Sequence, residues 1–442
     1  MGFKSLPLCQ VKQVKTMSYA NIKPKLDIPR DQVLSLLRAF FFFFSVLCSW
    51  YVIRPVRNEM AVQAGLENLP VLLSIVLLVM LLANPIYSWL VSKVKKERIV
   101  LYTYLFFILN LLCFLLGWNF LDESGRARIA KVFYIWCNVY SFFVVSIFWV
   151  SMINFFQSHE AKKYFGIISA GGSLGAFTGS SVARYFSTEI CGTASMSDWG
   201  PFSLIVVSVV ALSIAVILSL GFKPKANHPS NMEEPEEILG GSWVDPFRSV
   251  FSAPSVRNLT LYMILWTSVM TIGWMVALDI IQNWSSDSCE RTAFFARIEQ
   301  IVTPLTLICQ FFVTSYILRK IGIAAVLIAY GFLLFAGLIA YATFPVFTTV
   351  LVVVCILRVF EYGFNKPARE TIFTALKTQE RYKSTVLMDT FVARSGEAMG
   401  SWFAVKGMLI LGLSSLSAAW GALPLAVLLS WVGYQTTKSK KV

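Results

Sequence analysis

"SWLVSKVKKERIVLYTYLFF", Ser88 to Phe107, and "SYILRKIGIAAVLIAYGFLL", Ser315 to Leu334, have the same three-part form. Each starts as the end of an apolar run, crosses a short basic turn and enters a second, tyrosine-containing apolar run. The turns carry Lys93, Lys95, Lys96 and Arg98 in one case, Arg319 and Lys320 in the other. Apolar runs of ~20 residues are membrane spans, so each stretch reads as two spans joined on one face of a bilayer. Their recurrence predicts a chain built from two similar halves.

Working outward, apolar runs bounded by charge predict twelve spans. They fall near 33–60, 69–91, 99–121, 132–156, 164–186 and 202–222, then near 259–282, 298–318, 323–342, 346–364, 385–407 and 415–436. The echoing stretches join the second span to the third and the eighth to the ninth. The longest internal polar stretch, rich in Pro, Asn, Glu and Gly, lies between the sixth and seventh and reads as a linker. The division is therefore a tail at 1–32, a six-span half at 33–222, a linker at 223–258, a second half at 259–436 and a basic tail at 437–442. A parallel six-plus-six repeat is the arrangement of the major facilitator superfamily, whose site lies near mid-membrane between the halves. The fold class expected is an all-α membrane protein of that kind, a monomer in the lipid bilayer.

The composition agrees. Of 442 residues 57% are hydrophobic and 14% charged, with mean hydropathy +0.67, more apolar surface than a soluble globular chain needs. The +14 charge is spread over connecting segments. Placing both termini in the cytoplasm, in a cell's inner membrane, puts most lysines and arginines inside and leaves chiefly Arg126, Arg128 and Arg291 opposite. With no soluble basic domain to carry it, nucleic-acid binding is not expected. Cys48, Cys113, Cys137, Cys309 and Cys355 fall in apolar runs, and the cysteines read as small buried hydrophobes, neither a disulfide framework nor a zinc site. His159 and His228 lie in polar loops, so no metal or other cofactor is expected. The lysine-dotted first 30 residues lack the apolar core of a cleavable signal.

Charges inside apolar runs point to function, because intramembrane ionisable residues usually face a pathway or a partner. "SWYVIRPVRNEMAV", Ser49 to Val62, places Arg54, Arg57 and Glu59 at the end of the first span. Arg54 is expected to anchor the helix end, while Arg57 faces a central cavity, with Glu59 able to neutralise only one of them. In the tenth span Arg358 and Glu361 are three apart on one helical face, either a local ion pair or a cavity lining. Pro367 follows, and interrupted membrane helices tend to line cavities. In the eleventh span Asp389, Arg394 and Glu397 lie in an apolar setting; Glu397 either merely neutralises Arg394 or shares it with a ligand. Asp279, near the end of the seventh span, is either interfacial or a further site acid. Gly171, Gly175 and Gly179 in "FGIISAGGSLGAFTGSS" form a close-packing stripe, and no Gly-Lys-Ser/Thr ending makes it a phosphate loop. Surplus guanidinium charge suits an anionic solute, which such forks grip bidentately.

"YVIRPVRNEM", "VVSIFWVSMINFFQSHEAKKYFGIISAGGSLGA" and "EYGFNKPARETIFTALKTQERYKSTVLMDTFVARSGEAMGSW" resemble the non-mitochondrial ATP/ADP translocases and their shorter bacterial relatives. The likeness runs from about residue 35 to 435. It implies transport of a small anionic solute, a nucleotide by exchange, with no catalysis. By resemblance Arg57 and Arg394 stand where that family places functional lysines, and Asp279 stands near a family glutamate in the seventh span. The chain departs in the fourth span, where Trp136, Cys137 and Asn138 replace a family glutamate, making Asn138 the neutral member of the substrate-binding set. Two other readings stand beside exchange. One is proton-coupled symport with Asp389, Glu397 or Glu361 as carrier; the other is a non-transporting sensor or scaffold of the same fold.

Overall fold

The computed structural model describes residues 30–94, 98–156, 158–191, 200–222, 254–373, 388–407 and 416–438. The first half comprises α1 (Arg30–Gln63), α2 (Leu69–Lys93), α3 (Ile99–Phe120), α4 (Glu123–Phe155), α5 (Ser158–Glu189) and α6 (Leu204–Ser219). The second half opens with α7 (Pro254–Trp284). Helix α8 (Ser288–Ile308) runs on through a π-helical turn, Cys309–Val313, into Thr314–Lys320. Helix α9 is Ile323–Thr343. Helix α10 (Phe347–Phe360) continues through a π turn, Glu361–Asn365, into Lys366–Phe373; α11 (Ala393–Trp402) has π turns on both sides, and α12 is Ser417–Lys438. Among the described residues ten helices are long and apolar enough to cross a membrane. The other two are α5, rich in Gly and Ser, and α11, whose described part is short. The expected 223–258 linker lies outside the described residues as far as 253, as do residues 1–29 and 439–442.

Short connections make the chain alternate between two faces, here the near face, where α1 starts, and the far face, where it ends. Arg38 Nη1 donates to the Gly221 carbonyl at 2.8 Å, tying the start of α1 to the end of α6. At the equivalent place in the second half Asn258 Nδ2 meets the Gln435 carbonyl at 3.5 Å, tying α7 to α12. Helix pairs recur likewise: α1 packs on α4, α5 and α6 as α7 packs on α10, α11 and α12. Between the halves, α2 packs against α11 and α5 against α8. The repeat expected from the two basic turns is the architecture found.

Glycines set the closest of these contacts. A Cβ on Gly171, Gly175 or Gly179 would overlap the backbone carbonyls of Phe40, Phe44 and Cys48, so α5 lies backbone-to-backbone on α1. Gly396 and Gly400 of α11 meet the backbone at Ile264 and Ser268 of α7 in the same way. Small residues allow this approach, and in lipid packing contacts replace the hydrophobic drive between helices. The phenylalanine run obeys the helical period. Phe42 and Phe43 are buried against Phe148 of α4, with ring centroids 4.9 and 4.3 Å apart, whereas Phe41 is exposed.

Three expectations are corrected. The cysteines do include a disulfide: Cys191, just past α5, bonds Cys289 in the first turn of α8, 98 residues on. No sequence spacing signals a pair that only the fold brings together. Arg291 stays at the far face, but as a buried residue in the first turn of α8 and not outside the span. Helix α4 starts at Glu123 rather than 132, because Asp122 caps it by accepting from the Gly125 N–H at 2.9 Å. The Ser124 hydroxyl and the Gly125 amide hold the Asp122 carboxyl below the usual carboxylate range.

Candidate functional site

A cavity of about 280 Å³ lies between the halves. The first half lines it with Arg57 of α1, Leu73 of α2, and Tyr134 and Asn138 of α4. The second supplies Trp266 and Trp274 of α7, Tyr341 of α9, Arg358, Glu361 and Tyr362 of α10, and Arg394 and Glu397 of α11. Six of the nine residues singled out from the sequence thus meet here: Arg57, Asn138, Arg358, Glu361, Arg394 and Glu397.

Arg57 has the least usual surroundings. Its guanidinium donates to Asn58 Oδ1 at 2.8 Å and lies near the rings of Trp50 and Tyr134, 5.9 and 5.8 Å from their centroids. Its buried Nε has no hydrogen-bond partner, and among the described residues no carboxylate stands within ion-pair distance. Aromatic faces attract a guanidinium but do not cancel its charge. Asn138, one helical turn from Tyr134, donates its Nδ2 to the Tyr134 carbonyl at 3.0 Å, leaving its oxygen for another donor.

One turn earlier on α1, Arg54 behaves differently. It is buried and bridges Glu299 of α8 at 3.1 Å, so it does not merely anchor a helix end. Glu299 also holds Arg358 of α10, through a direct ion pair on its other oxygen. One carboxylate therefore serves two arginines and links three helices, two of them from the second half. Glu59 neutralises neither Arg54 nor Arg57. It turns to Arg291, accepting at 2.8 Å from Nε and 2.5 Å from Nη2.

Of the two readings of Arg358 and Glu361, the ion pair between them does not form, and both line the cavity. The π turn beginning at Glu361 widens the helix and redirects that carboxylate to Arg369, at 2.5 Å, and to Asn365 Nδ2, at 2.5 Å. Asn365 Oδ1 in turn accepts from the Tyr262 hydroxyl at 2.9 Å. Pro367 supplies no N–H for the Gly363 carbonyl, which accepts instead from the Thr314 hydroxyl of the α8 span at 2.6 Å. Backbone irregularity inside the membrane is thus satisfied by side chains from a neighbouring helix.

On α11, Arg394 and Glu397 pair at 2.7 Å, and their side chains keep 26% and 27% of their exposure, enough to meet a ligand. Asp279 does not line the cavity; it is half-buried further along α7. Asp389 lies in the π turn before α11, and its side chain is outside the described residues.

Sequence reading misses Glu299 altogether. Hydropathy starts the eighth span near 298, which makes Glu299 an interfacial residue; α8 actually begins at Ser288 and buries it three turns deep. The signal that could have found it is "CERTAFFARIEQIV", whose acidic and basic residues recur along one helix.

No family model matches the chain, and no curated protein matches it in sequence. Solved structures do. The nucleoside transporter NupG aligns over 92% of this chain and 99% of its own, with TM-score 0.63 at 14% identity. A bacterial homologue of the iron transporter ferroportin in an inward-facing state gives 0.65 at 14% identity over 94% and 100%. A D-xylose–proton symporter gives 0.63 at 10% identity over 92% and 99%. The fold is that of the major facilitator transporters. Within that fold the cavity between the halves sits where a mid-membrane site is expected, and the chain is a multi-pass integral membrane protein.

Proposed function

We propose that this chain is a secondary transporter that moves a small anionic solute by alternating access, with Arg57 as the principal anion contact. The carrying observation is the cavity-lining arginine without a carboxylate partner. A half-buried cation without a counter-ion, its Nε unpartnered, costs stability, and an anionic solute would remove that cost each time it bound. Arg358 and Arg394 line the same cavity and can lend further charge, their glutamates giving way in exchange. The volume lies just below the ~300–1,000 Å³ typical of ligand pockets, which suits a small metabolite over a peptide. A nucleotide moved by exchange is the finer reading. The likeness to ATP/ADP translocases supports it, as do the broad faces of Trp266 and Trp274, which offer a base a stacking surface. The lysine and arginine asymmetry supports cytoplasmic termini in an inner membrane.

Proton symport is the second reading. Its support is Glu361, a cavity-lining carboxylate joined to Arg369, Asn365 and, through Asn365, to Tyr262.

The test is uptake into proteoliposomes, with and without dithiothreitol because of the Cys191–Cys289 bond, using labelled ATP, ADP, orthophosphate and dicarboxylates beside neutral nucleoside and sugar controls. Accumulation of an anion by the wild type, strongly reduced in Arg57→Ala, is the expected result. Uptake of neutral solutes alone, or equal uptake by Arg57→Ala, would overturn the reading. Stimulation by unlabelled anion inside the vesicles indicates exchange, and stimulation by an imposed proton gradient indicates symport.

A further inference from the structure

The two halves are tied together at the far face on several levels. At the top, the disulfide joins Cys191, after α5, to Cys289 in the first turn of α8. Two residues on, Arg291 grips Glu59 of α1 with two nitrogens. Deeper still, Gln300 donates to the Ser181 hydroxyl at 2.9 Å and accepts from Arg184 at 3.1 Å. The polar ties can exchange their partners for water as the seam opens. The covalent tie cannot. Along the other seam, between α2 and α11, the structure shows a hydrogen bond from Trp402 Nε1 to the Ser74 hydroxyl at 3.0 Å.

Alternating access requires the far ends of the two halves to part. We propose that the Cys191–Cys289 disulfide is a redox latch: intact, it holds the α5–α8 seam shut at the far face, and its reduction by a dithiol lets the far mouth open. The inference rests on the alternating-access reading. In the step itself, a thiolate of the dithiol attacks one cysteine sulfur and the S–S bond breaks. A mixed disulfide forms, and the second thiolate of the reagent resolves it. Two electrons and two protons pass in total from the dithiol, which ends as a cyclic disulfide, to Cys191 and Cys289, which end as thiols.

The test measures spin-label distances across the far face in lipid nanodiscs. Maleimide-linked labels, stable to thiols, are placed by Leu121→Cys after α3 and Phe344→Cys after α9, both exposed positions. Cys9, Cys48, Cys113, Cys137, Cys309 and Cys355 are replaced by alanine. Three samples are compared: the oxidised protein, the same protein in dithiothreitol with bond status read by mass spectrometry, and the Cys191→Ser/Cys289→Ser variant. The oxidised protein is expected to show one short distance. The other two should gain a longer-distance population, increased about fivefold or more, in the range of ordinary coupling between sites. The dithiothreitol-treated sample carries the test if the serine variant fails to fold. A long-distance population already present in the oxidised protein would overturn the latch. So would survival of the bond in dithiothreitol, or a short distance alone in all samples while vesicles take up solute. A short distance alone with no uptake of any solute would bring down the transport reading and the latch with it. Uptake failure beside a redox-dependent distance would remove only the solute assignment.

Discussion

The two walls of the cavity are chemically unequal. Among the described residues the first half contributes one charge, Arg57, with aromatic neighbours and no carboxylate in ion-pair reach. The second half contributes charges that already have partners: Arg358 with Glu299, Arg394 with Glu397, and Glu361 with Arg369. An anion meets no competitor at the first wall. At the second it must displace a glutamate or share an arginine with one. On the proposed reading this difference divides the labour, the bare wall supplying affinity and the neutralised wall supplying contacts that change when a ligand arrives.

The largest expected effect comes from stripping the second wall of its shared anion. Glu299→Gln leaves Arg54 and Arg358 buried together without a carboxylate between them. Breaking a buried pair in this way costs about 3–5 kcal/mol. Thermal unfolding in detergent should show a large drop in Tm. An unchanged Tm would mean that the triad is dispensable and the two walls more alike than they look.

Arg57→Ala should do the reverse: little or no loss of stability, because no ion pair is broken, but a roughly hundredfold fall in uptake kcat/KM, in line with the ~2–5 kcal/mol lost on truncating a buried hydrogen-bonded charge at a binding site. Arg57→Lys should fall in between, since the charge stays and the planar fork is lost. A Tm loss as large as that of Glu299→Gln would show that Arg57 has a structural partner after all.

The half-exposed Arg394–Glu397 pair should give a smaller result. Its coupling, read by a double-mutant cycle of Arg394→Gln and Glu397→Gln on stability, should be about 1 kcal/mol or less. The informative readout is uptake. If Arg394 touches the solute, Glu397→Gln frees it and lowers KM, while Arg394→Gln raises KM; equal and neutral effects would make the pair purely structural.

The smallest effect is expected away from both walls, at the cap of α4. Asp122 is held below the usual carboxylate range by Ser124 and the Gly125 amide. Its folded-state value is thus lower than the ~3.9 of an unfolded Asp. The stabilisation is fully present above that unfolded value and fades as pH falls through the lower folded one. Asp122→Ala should therefore lower Tm slightly at pH 7, and the gap from wild type should close in strong acid.

Much of this architecture can be read from the chain. The spans follow from apolar runs long enough to cross a bilayer, and the repeat from two matching basic turns. The glycine stripe of α5 also announces its role, since little but close packing explains three glycines four apart. What escapes is pairing. Glu59 and Glu361 each lie near an arginine in sequence, yet each bonds another, Arg291 across the halves or Arg369 beyond a π turn. Helical spacing assumes an unbroken 3.6-residue period, and the π turn at Glu361 breaks it. Span edges drawn by hydropathy also move inward past buried charges, which hid Glu299 and Arg291. The Cys191–Cys289 bond is invisible for a simpler reason: proximity across 98 residues is a property of the fold.

Along its glycine stripe the contact of α5 with α1 brings main chain to main chain, with Gly171, Gly175 and Gly179 facing the carbonyls of Phe40, Phe44 and Cys48. On the transport reading, that stripe is blind to the cargo, because none of its residues lines the cavity. The machinery and the cargo contacts are therefore separately inheritable. On that reading, exchanging Arg57 or Asn138 for other residues could retune the chain to a new solute, while the three glycines leave no room for a side chain. If the chain is a transporter, over evolutionary time it should be free to change its diet but not its gait.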